Sequence, residues 1–481
     1  MNIVSLLEIL VKGLLEAEEK FLSNPKDLYS LETAVKTSTD ALAAGFLSNI
    51  LSSVNKQIYD CSWRQGRYTV VRNDERTLIS SVGDITFDCT YYKKVEDSSF
   101  HYLLEELMHL DKHERLTEAA ETMVLTEALK TSYEEATKVL PSKQKITRTT
   151  VMNKVHQITE NIKTEELSEK KNVKTLFIEA DEDHVAEQHG RWIPAKDNKS
   201  FMSRLIYIYE YKQEMPGIKG KKELVNRHYF GGLYEGSKGI EKMWNEVNAF
   251  IEATYDVDEL KRVYISGDGA AWIKSGVKYL PHALFCADKF HLMKYINSAS
   301  NQMLDDSEWV KNEIYHLLNK RDKASFEELT ERMSASASNE KYVEELRTYV
   351  LGNWSAVMRT LRNKEIDGCS AESHVSHVLS ARLSSRPKGL SKRGADRMSR
   401  LRCFEQNNGR DKIKDLVKYS REQRELKRTG TDDIPVKALS AYDVCKEHYN
   451  QSRGYIERIQ ATIPCFTVKK IAAIRNGLNE L

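Results

Sequence analysis

Residues 174–185 read KTLFIEADEDHV, and no other stretch of the chain limits its fold so sharply. Leu176, Phe177, Ile178 and Val185 are strand-forming residues, while Glu179, Asp181 and Asp183 fall at alternate positions. Side chains alternate across a strand, so the three acids share one face and Ile178 and Ala180 take the other. A strand at the centre of an α/β sheet is buried on both faces, and a buried carboxylate without a partner costs several kcal/mol. A divalent metal on that face resolves the conflict. The competing reading is a strand end that emerges into solvent with ordinary surface acids.

The pattern around this strand is regular. Residues 203–212 (SRLIYIYEYK) and 226–232 (NRHYFGG) read as the next two strands, and a helix follows over 238–255. Then come a strand at 262–267 (RVYISG), a short helix from Ala270, a strand at 283–287 (ALFCA) and a helix from Asp288. The order β-β-β-α-β-α-β-α is that of the ribonuclease H-like fold, an α/β core whose sheet holds carboxylates at strand ends. We assign this core to residues 170–300. Residues 301–365, with Trp309 and Trp354, form a helical insertion before a helix around Glu372. The segment 366–481 is that Glu-bearing helix and a basic helical region.

The N-terminal third has a different texture. Residues 1–65 are helical, with Leu6, Leu7, Leu10, Leu14 and Leu15 at helical spacing. Within 66–95, β-branched and aromatic runs at 67–72, 77–82 and 84–93 are separated by Asn73-Asp74 and Gly83-Asp84, which predicts a small antiparallel meander of three strands. Residues 96–165 return to helix. Two short helices, 131–140 and 147–156, end this region, the second opened by Thr147, Arg148 and Thr149. That is the arrangement of a helix-turn-helix, which offers Lys145, Arg148, Thr149 and Lys154 to DNA. Simple helical-hairpin packing is the alternative.

Charge is dense but balanced: 73 Lys and Arg against 71 Asp and Glu, net +2, with 40% hydrophobic residues. This excludes a disordered chain and, with no run of about 18 uncharged apolar residues, a membrane-spanning one. Glu8 and Lys12 interrupt the apolar N-terminus, so an amphipathic helix is expected there and not a signal peptide. The seven cysteines form no C-x-x-C pair, which fits a reducing cytoplasm. The balance conceals blocks: 101–140 is acidic, while 141–158 and 386–428 are basic. A basic block most often meets phosphate, and Arg386, Lys392, Arg393 and Arg397 follow Glu372 closely enough to guide a DNA backbone. The other reading of such a block is a solvated helix face.

Two further acids complete the candidate chemistry. In Ser266-Gly-Asp-Gly-Ala-Ala-Trp an apolar strand ends in Asp268, flanked by glycines that permit close approach of backbone and ligand. Glu372 lies in Cys369-Ser-Ala-Glu-Ser-His-Val-Ser-His. Two Asp on neighbouring strands and a Glu on a nearby helix can hold two Mg²⁺ or Mn²⁺ ions about 4 Å apart for phosphodiester displacement. Hard oxygen donors favour these ions over zinc, and His374 and His377 have only Cys369 nearby, short of a four-ligand zinc set.

Ile178-Glu-Ala-Asp-Glu-Asp-His-Val, Ser266-Gly-Asp-Gly-Ala-Ala-Trp-Ile-Lys, Ala287-Asp-Lys-Phe-His-Leu-Met-Lys and Ala371-Glu-Ser-His-Val together resemble bacterial insertion-sequence transposases of the ISLre group. These are related to Mutator-like DDE transposases, and many were first catalogued as an uncharacterised protein family. The resemblance runs over nearly the whole chain. It implies a DDE recombinase that nicks element ends and joins the 3′-hydroxyls to target DNA, working as an oligomer of at least two copies. Carried over, the catalytic and metal-holding triad is Asp181, Asp268 and Glu372, separated by 87 and 104 residues. Related sequences often have Asp-Gly where this chain has Asp181-Glu182-Asp183, so Asp183 stands as the alternative first ligand. The motif Asp288-Lys-Phe-His291 lies near the active site in similar transposases, where it would support the site or contact phosphate, with Lys289 toward DNA; metal ligation is the alternative. Two other outcomes stay open: a nuclease on the same fold that cuts without joining, and a non-catalytic DNA-binding regulator.

Overall fold

The computed structural model describes residues 3–162, 169–187, 200–218, 220–366, 368–385 and 389–426. The chain divides into two compact units, one from Met1–Lys154 joined by the stretch that opens at Ile413, the other Val155–Lys412.

The first unit begins with α1 (Ile3–Ser23) and α2 (Leu28–Asp60), packed antiparallel; Asp27 caps α2 by accepting the Ser30 amide at 3.0 Å. Gly45 is required at their crossing, because a Cβ there would stand 2.4 Å from Leu6 Cδ2. The apolar face of α1 is only partly covered, with Ile9 and Leu22 exposed. Next comes a sheet of β1 (Tyr68–Ser80), β2 (Gly83–Lys94) and β3 (Phe100–His101).

The expected antiparallel meander is present as β1-β2-β3, but its strand bounds differ: β1 runs straight through Asn73-Asp74, and the turn from β1 into β2 lies at 81–82. The reason lies across the sheet, where Asn73 pairs with Thr90 and accepts its hydroxyl at 3.1 Å, so the residue that favours turns has a strand partner. Beyond the short reach of β3, the amides of β2 are met by α2: Thr86, Asp88 and Thr90 donate to Ser48 Oγ, Ser52 Oγ and Asn55 Oδ1 at 3.1, 3.2 and 3.0 Å. A sheet edge that would otherwise invite another strand is thereby closed. Short helices α3 (Leu103–Leu107), α4 (Glu118–Ala128), α5 (Tyr133–Ala136) and α6 (Arg148–Ile158) follow. The expected helix over 131–140 is a single turn.

The second unit is built on five strands. In chain order they are β4 (Thr175–Ala186), β5 (Ser200–Tyr209), β8 (His228–Gly232), β9 (Arg262–Gly267) and β10 (Ala283–Ala287); the hairpin β6 (Tyr211–Glu214) and β7 (Lys222–Val225) lies between the second and third. Their spatial order is β10-β9-β4-β5-β8. β4 pairs parallel to β9 and antiparallel to β5, and β9 pairs parallel to β10, so the sheet is mixed. Helices α7 (Gly236–Thr254), α8 (Ala271–Lys274) and α9 (Lys289–Ser300) fill the crossovers. Element by element this is the order expected from the sequence. Leu176, Ile178, Ala180, Ile206, Ile208, Val263 and Ile265 are fully buried against Trp244 and Val247 of α7.

Four helices, α10 (Ser307–Lys320), α11 (Lys323–Ser336), α12 (Glu340–Gly352) and α13 (Trp354–Arg362), make up the insertion, and α13 returns the chain to β10. After α14 (Ala371–Val375) come a π-helical turn at Ser376–Ser380, α15 (Ala381–Leu383) and α16 (Lys392–Asn408), which packs on β8. The last described helix, α17 (Ile413–Leu426), packs against α4 in the first unit.

Candidate functional site

β4 and β9 pair in parallel from Thr175 and Arg262 to Glu179 and Ser266. Asp181, in the middle of β4, and Asp268, just past the end of β9, each stand two residues beyond that last pair, which sets them near one another where the parallel pairing ends, on neighbouring strands about 5 Å apart. β10 extends the row, since Ala287 pairs with Gly267 and Asp288 follows. In open α/β sheets this edge is where ligands collect. Gly267 makes the close approach possible: a Cβ there would stand 2.9 Å from the Ala180 carbonyl oxygen and 2.7 Å from Ile273 Cδ1. The glycine before Asp268 therefore serves strand packing. Gly269, with φ +96°, serves the turn.

Asp181 is half-buried, and its oxygen accepts the Glu182 amide at 2.8 Å. Burial first, and then the negative charge of Asp268, push its carboxyl up to about 6. Asp268 accepts the Ala270 amide at 2.9 Å. Among the described residues neither carboxylate has a lysine or arginine at ion-pair distance. Asp288 caps α9 through Phe290 N at 2.9 Å and meets His291 Nδ1 at 2.8 Å. That hydrogen bond holds His291 above its ordinary value against the opposing effect of burial, and the charges of Asp268 and Asp181 add to it. His291, tied to a third aspartate, acts on the Asp181 carboxylate in the opposite sense to Asp268.

The other two acids of the β4 face behave differently, since each has partners within the protein. Glu179 is 1% exposed, and its cation is Lys212, at 2.9 Å. It also accepts the hydroxyls of Tyr207 and Tyr209 and the Ser370 amide. Asp183 is buried and accepts Ser384 Oγ at 2.8 Å, so the aspartate left facing Asp268 is Asp181. The sequence held a signal for Glu179: Tyr207, Tyr209 and Lys212 follow one another on the next strand and hairpin, and Glu179 pairs with Tyr207 in register. Glu372 is the second residue of α14, which packs on β4, and it is exposed. Among the described residues no three His, Cys, Asp or Glu side chains are grouped closely enough to hold a metal ion. Two of the three expected donors therefore converge and the third stands apart. His374 is packed among aromatics, its ring 4.4 Å from Tyr207 and its Nδ1 2.7 Å from the Tyr229 hydroxyl, and burial pushes it down to about 4.

The basic residues divide by burial. Lys145, Arg148 and Thr149 are exposed at the start of α6, where Thr147 Oγ1 accepts the Thr150 amide at 3.2 Å. Lys154, on the same helix, is buried between Glu114 and Glu121 at 2.5 and 3.2 Å; its charge is spent inside the protein, which corrects its assignment to DNA. Lys289 donates to the Ile366 carbonyl at 2.7 Å. Lys392 pairs with Glu235 at 2.6 Å, and Arg393 and Arg397 with Glu160 at 3.9 and 3.2 Å. Arg386 lies outside the described residues. The expected basic face over 386–428 is divided as well: Arg402 pairs with Glu405 at 2.9 Å, while Arg421 pairs with Glu121 at 2.7 Å.

Fold and site together define a mixed α/β protein whose mixed five-stranded sheet carries Asp181 within β4 and Asp268 and Asp288 just past the ends of β9 and β10. The profile of UPF0236, an uncharacterised protein family, matches residues 22–420, and the chain belongs to that family. Two UPF0236 proteins of Caldanaerobacter subterraneus subsp. tengcongensis are 33% and 32% identical over 395 and 391 residues, each match covering 81% of this chain and 80% of the relative. A solved structure, the Drosophila P element transposase strand transfer complex, is 11% identical over 71% of this chain and 87% of that chain, with a TM-score of 0.23. A likeness at that level carries no argument about fold or activity. No helix among the described residues is long and apolar enough to cross a membrane.

Proposed function

We propose that this protein is a DDE transposase with a ribonuclease H-like core, which binds the ends of an insertion sequence, cuts the DNA there and joins the 3′-hydroxyls to target DNA. One observation carries the reading: Asp181 of β4 and Asp268, just beyond β9, lie near enough for their charges to interact, and among the described residues neither has a lysine or arginine at ion-pair distance. The sheet supports it, because numbering the five strands in chain order gives a fifth-fourth-first-second-third arrangement with the second antiparallel. So does the name of one relative, which joins eleven locus designations, and of another, which joins four. A protein recurring at many loci accords with an element that moves.

Paired carboxylates of this kind suit Mg²⁺ or Mn²⁺; Asp181 and Asp268 would hold the ions, with Glu372 as the third donor from α14. Bound there, two ions supply an activated water or 3′-hydroxyl and a stabilised leaving oxygen. The chain's own residues do the rest. Asp181, with its carboxyl near 6, gives up its proton readily at neutral pH. His291, whose hydrogen bond to Asp288 raises its affinity for a proton, would meet a phosphate at the edge of the site. Lys145, Arg148 and Thr149 contact the DNA ends, and Arg393 is the best exposed of the basic residues on α16 for the backbone. The protein acts in the cytoplasm, and holding two ends together requires at least two copies.

The deciding assay uses the full-length protein, Mg²⁺, pre-cleaved DNA carrying the repeats that flank its own gene, and a target plasmid. Joined product is expected, and it disappears with a chelator and in Asp181→Asn. Cutting without joining assigns a nuclease, and DNA binding without any metal-dependent product assigns a regulator; either overturns the proposal.

A further inference from the structure

Glu179 lies two residues before Asp181 on the same face of β4, yet its partners arrive from several directions. Tyr207 and Tyr209 donate from β5, and Lys212 reaches in from β6 at 2.9 Å. From the segment that leads into α14 come the Ser370 amide at 2.6 Å and the Ser370 hydroxyl at 3.0 Å. Lys212 holds the same segment a second time, donating to the Gly368 carbonyl at 3.0 Å, and Lys289 holds it at Ile366. Ile366, Gly368 and Ser370 are thus each held at one backbone atom.

Ser370 is also the N-cap residue of α14, where a serine ordinarily accepts an amide of the helix it opens. Here it makes no such cap bond, and its hydroxyl donates to Glu179. The local helix forgoes its cap so that its first residue is tied to the sheet. A five-residue helix has little stability of its own, so its anchors decide where it points. Glu372 stands two residues beyond this anchor, and it is the acid that must arrive from a distant part of the chain.

We propose that Glu179 and Lys212 form a buried ion-pair clamp that fixes the Glu372 helix against the strand carrying Asp181, so that both act as positioning residues. The purpose assigned to the clamp rests on the transposase reading; its geometry does not. An ion pair suits the task better than apolar packing, because it sets orientation as well as proximity: Glu179 bonds both the amide and the hydroxyl of Ser370. Glu179 is in consequence no candidate for the metal, although it shares a face with Asp181.

The test compares full-length wild type with Glu179→Gln, Lys212→Met and the double variant. Hydrogen exchange of peptides covering 366–375 is expected to quicken by about tenfold or more in Glu179→Gln, with β4 and β5 peptides unchanged. The double variant removes both buried charges and separates loss of the clamp from the cost of one unpaired ion. In the joining assay, the Mn²⁺ concentration giving half-maximal product is expected to rise about 10- to 100-fold with DNA affinity unchanged, and Glu179→Asp to recover part of the loss. Unchanged exchange at 366–375, or exchange that quickens equally through β4 and β5, overturns the clamp. Faster exchange with unaltered metal dependence in an active protein overturns its positioning role. If wild type yields no metal-dependent product, the transposase reading fails, while the exchange measurement still decides the clamp.

Discussion

Buried acids meet opposite fates in the two units. In the first, Glu114 and Glu121 are almost fully covered and are neutralised by Lys154 and Arg421. Burial alone would raise Glu114, but Lys154 and Arg421 outweigh it and hold the carboxyl below its ordinary value. In the second, Asp181 and Asp268 lie near each other with no lysine or arginine at ion-pair distance among the described residues, and Asp181 is pushed up to about 6. The contrast recurs within a single strand, where Glu179 has Lys212 and Asp181 has none. The second unit also neutralises Glu179 through Lys212 and Glu405 through Arg402, whereas among the described residues Asp181, Asp183 and Asp268 have no lysine or arginine at ion-pair distance.

The comparison can be broken most directly at Asp181. Asp181→Asn should lower joined product by on the order of 10³-fold. The same change should raise the unfolding free energy at pH 7, measured in urea, by about 1–2 kcal/mol, because it removes a charge the fold disfavours. A loss of stability would place Asp181 with the neutralised acids. Glu121→Gln should do the reverse, costing about 3–5 kcal/mol by leaving Arg421 and Lys154 short of a partner.

A pH titration sharpens the contrast. Burial pushes His228 and His374 down to about 4, so between roughly pH 6.5 and 4 the unfolded chain takes up protons that the fold refuses. Stability of the second unit should therefore fall with acid across that window, by up to about 3 kcal/mol per histidine, and His228→Phe should flatten the curve. Asp181 works in the opposite sense: its folded value is raised, so acid from pH 6 to 4 relieves it, and Asp181→Asn should steepen the acid loss. The smallest effect concerns two lysines. Lys145→Ala should leave the melting temperature unchanged and reduce the salt slope of DNA binding by about one, whereas Lys154→Ala should lower the melting temperature.

Much of the second unit is legible in the sequence, because strands and helices there carry unbroken periods and Asp181 and Asp268 each end an apolar run. Asn73-Asp74 misleads, since turn preference is local while the partner that keeps Asn73 in a strand, Thr90, comes from the next strand. Lys154 misleads for a similar reason: its position after the basic start of α6 suggests a surface, but Glu114 and Glu121 enclose it.

The amino-acid sequence by itself determined the order of elements in the sheet unit and which residues can bear negative charge at strand ends, because both depend on neighbours a few residues apart. Only the tertiary structure decided which of those charges remain unpaired. Glu179 finds Lys212 and Ser370, and Glu121 finds Arg421, across sequence distances that periodicity does not reach. Coulomb attraction depends on separation in space, and that separation exists only once the chain has folded.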